Sequence, residues 1–203
     1  MKELYDILFE TKSIQIDTTN PFTFASGIKS PIYCDTRRLI SYPKERKIIL
    51  SGFLEKISKM KIECVIGVAT GGIAWGAWLS DRLDVPFGYV RSSHKDYGKK
   101  QSIEGDIDVS KNILVIEDVV STGGSIGRAI NLLKDSSAKS LNAFSIFSYQ
   151  FSESLEMFQE LKVPFQSLLT LEGLLEHSSD KIGSSKNEIE RWRKNPWGWR
   201  RNE

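Results

Sequence analysis

Residues Asn112–Ser125 read NILVIEDVVSTGGS. The stretch opens as an unbroken β-type apolar run, then places Glu117 and Asp118 side by side, and ends in a small-residue loop. A strand that is apolar on both faces belongs inside a parallel sheet, where helices cover both sides. The acids at its end, and the loop Ser121–Ser125 that follows, leave that apolar layer at one edge of the sheet.

Working outward, the same alternation recurs on both sides. Tyr42–Met60 has apolar residues at helical spacing, with Pro43 where a first helical turn tolerates it. Ile62–Val68 reads as a strand, Gly72–Leu83 as a helix, Pro86–Arg91 as a strand and Asn112–Val119 as another. Gly124–Asp135 reads as a helix, Ser140–Ser148 as a strand, and a helix follows near Glu153–Leu161. Strands separated by helices in this way imply βαβ units around a parallel sheet. In such sheets ligands bind outside the carboxyl ends of the strands. Three segments should meet there: VATGG, RSSHKDYGKK and EDVVSTGGS. The earlier stretch NPFTFASGIKSPIYCD fits neither period, and reads as two short aromatic strand-like pieces joined by Ser26–Gly27, a small cap over the crevice.

Composition narrows the function classes. The chain has 203 residues, 40% hydrophobic and 27% charged, the balance of a protein with a real core. No apolar run reaches the roughly 18–20 residues needed to cross a bilayer, and the acid-containing N-terminal helix is unlike a signal or transit peptide. Cys34 and Cys64 sit in strand-like runs without metal-ligand spacing, as expected of reduced core cysteines in a cytoplasmic protein. A net charge of +2 gives no indication of a nucleic-acid partner.

The loop Ser121–Ser125 can present backbone N–H groups at the positive end of a helix, with glycines permitting close approach and hydroxyls on both sides. That suits a phosphate dianion. The alternative is a plain strand-to-helix turn with Ser121 or Thr122 as N-cap. No Walker A pattern occurs, which argues against an ATPase or GTPase. The acids favour a ligand, since carboxylates beside a phosphate need another target; vicinal ribose hydroxyls provide one, and a nearby Mg²⁺ would also be favoured. Ala69–Gly72 is a second small-residue loop that could hold pyrophosphate. Arg91–Gln101 is a basic loop that reads either as solvated surface or as a cover that closes on substrate. His94 reads as a surface histidine, and His177 has no partner evident in the sequence.

With these residues in view, the chain resembles the orotate phosphoribosyltransferases of the type I phosphoribosyltransferase fold. VIEDVVSTGGS is similar to that fold's phosphoribosyl-pyrophosphate motif. FTFASGIKSPIYCDTRRLISYP resembles the family's cap and substrate segment, and GYVRSSHKDYGKKQSIEGD its catalytic loop. The resemblance runs from about Phe22 to Tyr149. It implies an α/β fold with a mostly parallel central sheet flanked by helices and a small N-terminal hood. The whole of residues 1–203 would form one phosphoribosyltransferase domain, with 1–40 as the hood and 180–203 as a helical tail.

The resemblance also implies roles. Arg91 and Lys95 would bind the diphosphate, Lys95 reaching into the neighbouring subunit of a homodimer, with Tyr97 nearby. Glu117 and Asp118 would hold the ribose hydroxyls. Val119, Val120, Ser121, Thr122, Gly123, Gly124 and Ser125 would complete the phosphoribosyl-pyrophosphate site. Ser121, Ser26, Gly27 and Tyr33 would form the base pocket, and Ala69, Thr70 and Gly71 the pyrophosphate loop. Mg²⁺ would be held mainly through the substrate. One branch of the family carries lysine where this chain has Ala25 and Ser92, and a further lysine near Gly71; a histidine usual in the family is Tyr97 here, and the arginine that contacts orotate in some members is replaced near Tyr149.

Two rival functions remain at this level: a transferase for uracil or a purine, and a non-catalytic phosphoribosyl-pyrophosphate sensor. The cap argues against the first and the basic loop against the second. The ending IERWRKNPWGWRRNE interleaves tryptophan with arginine, which can bind single-stranded nucleic acid; packing of a last helix on the body or on a dimer partner is the simpler reading.

Overall fold

The computed structural model describes residues 2–91 and 102–199. NILVIEDVV forms β8 (Asn112–Val120), the longest strand together with β9 (Ser140–Ser148). Its lack of polar alternation is explained by its place. β8 lies between β9 and β5 (Cys64–Val68), and both pairings are parallel. The full order is β10-β9-β8-β5-β6-β7, with β10 at Phe165–Thr170, β6 at Phe87–Val90 and β7 at Ile103–Glu104. Only β7 is antiparallel to its neighbour, so the sheet is mostly parallel, as expected.

Two apolar clusters cover the faces. Leu114 and Ile116 of β8 join one, with α2 (Pro43–Ile57) and α3 (Gly71–Leu83); Ile113 and Val115 join the other, with α4 (Gly124–Asp135). This period-2 alternation carries onward to the acids. It directs Asp118 to the hood side and Glu117 to the α4 side, so the adjacent acids face different surroundings.

β5 stops pairing with β8 at Gly67↔Ile116, whereas β9 follows β8 to Val120↔Ser148. Beyond Ile116, the β5 side of β8 is therefore open. The start of α3 fills that gap: a Cβ on Gly72 would fall 2.3 Å from the Ile116 carbonyl oxygen. Only glycine permits so close an approach.

The cap consists of two antiparallel pairs. β2 (Phe22–Thr23) pairs with β3 (Lys29–Ser30), and β4 (Ile32–Cys34) pairs with β1 (Ile14–Ile16). The Phe24–Ile28 turn closes through Gly27 N–H to the Phe24 carbonyl, with Gly27 at φ +90°. Long-range bonds tie the cap down. The Tyr149 hydroxyl accepts from Cys34 N–H at 2.8 Å, and the indole of Trp192 on α8 (Lys186–Lys194) donates to the Lys29 carbonyl at 2.8 Å. Trp192 is fully buried, edge-on to Phe24, Tyr149 and Phe151. Trp197 remains half exposed. His177 finds a stacking partner in Tyr5. No helix among the described residues is long and apolar enough to cross a membrane.

Candidate active site

Two adjoining cavities open at the carboxyl edge of the sheet. The first, about 340 Å³, is bounded by Ser26, Glu117, Val119, Val120, the loop Ser121–Ser125 and Arg128. The second, about 370 Å³, is bounded by Phe24, Tyr33, Asp35, Arg37, Ala69–Gly71, Glu117, Asp118 and Tyr149. Glu117, Val119, Ser121 and Ser125 border both, so the cavities are two ends of one site.

The first cavity is built on a helix start without a side-chain cap. The N-cap of α4 is Gly123, in the left-handed region at φ +83° and ψ 0°, with no capping hydrogen bond. The first helical bond runs from Gly127 N–H to the Gly123 carbonyl. Neither Ser121 nor Thr122 caps the helix, contrary to the simple turn that was the alternative. The N–H groups of Gly124, Ser125 and Ile126 therefore keep the unpaired donors of a helix N-terminus, beside the loop hydroxyls. This arrangement suits a phosphate. Arg128, one turn into α4, adds a cation whose charge acts on Glu117.

Glu117 is buried. Burial, followed by the charge of Asp118, holds its carboxyl well above the ordinary carboxylate range. Its Oε1 accepts from the Asp118 N–H at 3.2 Å. Asp118 faces the other way. Its Oδ2 accepts from the hydroxyl of the fully buried Thr36 at 3.0 Å. A Cβ on Gly71 would lie 2.2–2.4 Å from three atoms of the same carboxyl group. Thr36 and Gly71 thus bracket Asp118, joining the hood, the pyrophosphate-type loop and β8 at one point.

The hood supplies the aromatic wall. Tyr33 stacks on Phe22 at 5.5 Å and meets Phe24 at 6.1 Å. Cys34 lines the same cavity as a neutral thiol, pushed up chiefly by burial and further by Asp118 and Asp35.

The structure brings Ser26, Tyr33, Ala69, Thr70, Gly71 and the whole Glu117–Ser125 segment to these cavities. Gly27 borders neither and serves the hairpin turn. Arg91 stands slightly apart. It pairs with Glu104 at 2.6 Å, across the β6–β7 edge, and lines a small depression with Ser102, Ser125 and Arg128. Lys95, Tyr97 and His94 lie outside the described residues. Sequence reading missed Thr36, Arg37, Arg128 and Phe24. Phe24, Thr36 and Arg37 lie in the stretch that resembles the cap and substrate segment, though none stood out within it, and Arg128 had a local signal, a cation one helical turn beyond Gly124.

An uncapped helix start, acids delivered by the central strand and an aromatic hood define a type I phosphoribosyltransferase. Residues 43–153 match the family described as "Phosphoribosyl transferase domain". The orotate phosphoribosyltransferase of Fusobacterium nucleatum is 42% identical over 93% of this chain and 92% of that protein. That of Bacillus mycoides is 40% identical over 96% and 95%. The crystal structure of orotate phosphoribosyltransferase from Aeropyrum pernix superposes with a TM-score of 0.78 at 30% identity, covering 89% of this chain and 99% of that one. The chain belongs to the orotate phosphoribosyltransferase family.

Proposed function

We propose that the chain transfers the phosphoribosyl group of 5-phosphoribosyl 1-pyrophosphate to N1 of orotate, giving orotidine 5′-monophosphate and pyrophosphate, a step of pyrimidine (UMP) biosynthesis. The observation that carries this reading is the continuity of the uncapped phosphate loop, through Glu117 and Asp118, with the aromatic cavity of the hood. A donor sugar phosphate and a flat acceptor can be held at once, with their reacting atoms between the two ends.

The 5′-phosphate would sit on the N–H groups of Gly124–Ile126, with Arg128 above. Asp118, held by Thr36, would accept from a ribose hydroxyl and fix the sugar against the attacking base. Glu117, bordering both cavities, would accept from the sugar once ionised. As the glycosidic C–O bond breaks, positive charge builds on the ribose ring beside these carboxylates, and negative charge leaves with the diphosphate. Preorganised groups that meet such charges lower the barrier. Arg91 and Lys95 take the diphosphate role that the family resemblance gives them. Orotate would lie against Tyr33, and exclusion of water by Phe24 and the hood would keep N1 the only nucleophile.

The Asp118 carboxylate, which borders the hood-side cavity and is oriented by the Thr36 hydroxyl behind it, is a hard oxygen ligand that fits Mg²⁺ shared with substrate oxygens. Bound there, the ion would neutralise charge on the diphosphate. We also propose a cytoplasmic homodimer, in which Lys95 serves the neighbouring subunit. The deciding assay follows the ultraviolet absorbance of orotate. Absorbance should fall only when phosphoribosyl pyrophosphate and Mg²⁺ are both present. Consumption of uracil or a purine instead would reject the acceptor while sparing the fold.

A further inference from the structure

Among the described residues lining the hood-side cavity, Arg37 is the only lysine or arginine. Asp35 and Asp118 share that lining, together with Glu117, whose burial favours the neutral carboxyl. A neutral pyrimidine could stack on Tyr33 without further help. A pyrimidine carrying a carboxylate meets like charge there and needs a cation to compensate.

Arg37 is fixed for that task. Its Nε donates to Asp35 Oδ1 at 2.6 Å, and its Nη2 lies 3.5 Å from the Tyr33 hydroxyl. Asp35 also caps the short 3₁₀ helix Thr36–Ser41 by accepting from the Arg37 backbone N–H. The turn that ends the SPIYCD strand therefore sets the guanidinium beside the aromatic wall. The side chain is nonetheless 57% exposed, and Nη1 has no partner among the described residues. A planar fork with free donors at the end of an aromatic shelf matches a carboxylate in the plane of a stacked ring. Arg128 borders the phosphate-loop cavity instead.

We propose that Arg37 is an acceptor-specificity residue, whose guanidinium binds the carboxylate of orotate lying against Tyr33. The two arginines thereby divide two anions, Arg128 taking the donor's 5′-phosphate and Arg37 the acceptor's carboxylate. This inference rests on orotate being the acceptor.

The test compares wild type with Arg37→Ala, Arg37→Lys and the double variant Asp35→Asn/Arg37→Ala, all in the full chain. Loss of a charged, forked hydrogen bond should raise KM for orotate roughly tenfold to a hundredfold in Arg37→Ala. KM for phosphoribosyl pyrophosphate should stay unchanged. Arg37→Lys should recover part of the loss. The turnover ratio of orotate to uracil should fall in Arg37→Ala. The double variant should keep the raised KM, because it removes the bared Asp35 charge without restoring the fork. An unchanged KM for orotate overturns the proposal. So does a rise in KM for phosphoribosyl pyrophosphate instead, which would assign Arg37 to the diphosphate. So does normal orotate affinity in the double variant, which would leave only repulsion by Asp35. Failure of the wild type to consume orotate refutes the underlying acceptor reading, a result distinct from all of these.

Discussion

Gly71→Ala tests the bracket around Asp118 directly. The new Cβ would fall 2.2–2.4 Å from the carboxyl carbon and both carboxyl oxygens. Non-bonded contacts need about 3.5 Å, so the carboxyl group must retreat by about 1 Å. That retreat takes Oδ2 away from the Thr36 hydroxyl, now at 3.0 Å. A misplacement of this size in a positioning group costs on the order of 100-fold in rate, which corresponds to about 2.7 kcal/mol of transition-state stabilisation. The obstruction is the end of a side chain that borders a cavity, and it can rotate aside. Folding should therefore survive. Gly72→Ala provides the contrast, because its Cβ would meet the Ile116 carbonyl oxygen at 2.3 Å and backbone cannot rotate away. That variant should lose about 1–3 kcal/mol of stability. The assay is kcat/KM for phosphoribosyl pyrophosphate from orotate absorbance, with thermal unfolding in parallel. A folded Gly71→Ala enzyme with wild-type kcat/KM would refute the bracket.

The other expectations are separate. Thr36→Val removes the buried hydroxyl at nearly constant volume and should lower kcat/KM for the donor about tenfold, as loss of a hydrogen bond to a charged group does; Thr36→Ser should restore it, and equal loss in both would show that packing alone is at work. Trp192→Ala should cost roughly 3–5 kcal/mol in denaturant unfolding, and the milder Trp192→Phe should raise KM for orotate by loosening Phe24, an effect absent if the tail serves only stability. Glu117 holds its proton more tightly in the fold than in the unfolded chain, so its contribution to stability falls as pH rises above the ordinary carboxylate range. Glu117→Gln should raise the melting temperature of the ligand-free protein at neutral pH, lose that gain near about pH 4, and lower activity; a lower melting temperature at neutral pH would contradict the burial cost.

The parallel sheet was legible because its signals are local. The apolar runs of β5, β8 and β9 and the helices between them span single windows of sequence, and α4 and β9 begin and end where their patterns do. Glu117, Asp118 and Ser121–Ser125 were legible for the same reason, as one strand and its following loop. The six-residue edge strand β10 was missed, and two shorter missed elements depend on distant partners. β1 and β7 are three and two residues long and exist through their pairing with β4 and β6. Thr36 is an unremarkable residue until the hood folds over a strand 82 positions away. Alternation on β8 was readable, but its consequence, that Glu117 and Asp118 face different surroundings, needed the two layers to be assigned.

This division bears on how one site keeps a fixed donor and a selected acceptor. In the proposed function the donor would be held from the central strand and the helix that follows it, and sheet pairing fixes that strand. The aromatic wall proposed for the acceptor sits on antiparallel pairs too short to be stable alone, so its position derives from contacts made elsewhere. Tyr149 leaves the end of β9 to hold Cys34, and Trp192 comes from the last long helix to hold Lys29 and Phe24. Asp118 joins the halves, since it belongs to the central strand β8 and is bonded to the hood through Thr36. A change in the hood can therefore reach the donor side through one hydrogen bond. Substitutions at Tyr33 or Arg37 that leave the Thr36–Asp118 bond intact should alter acceptor choice alone, whereas those that shift the turn at Asp35–Thr36 should impair both substrates together.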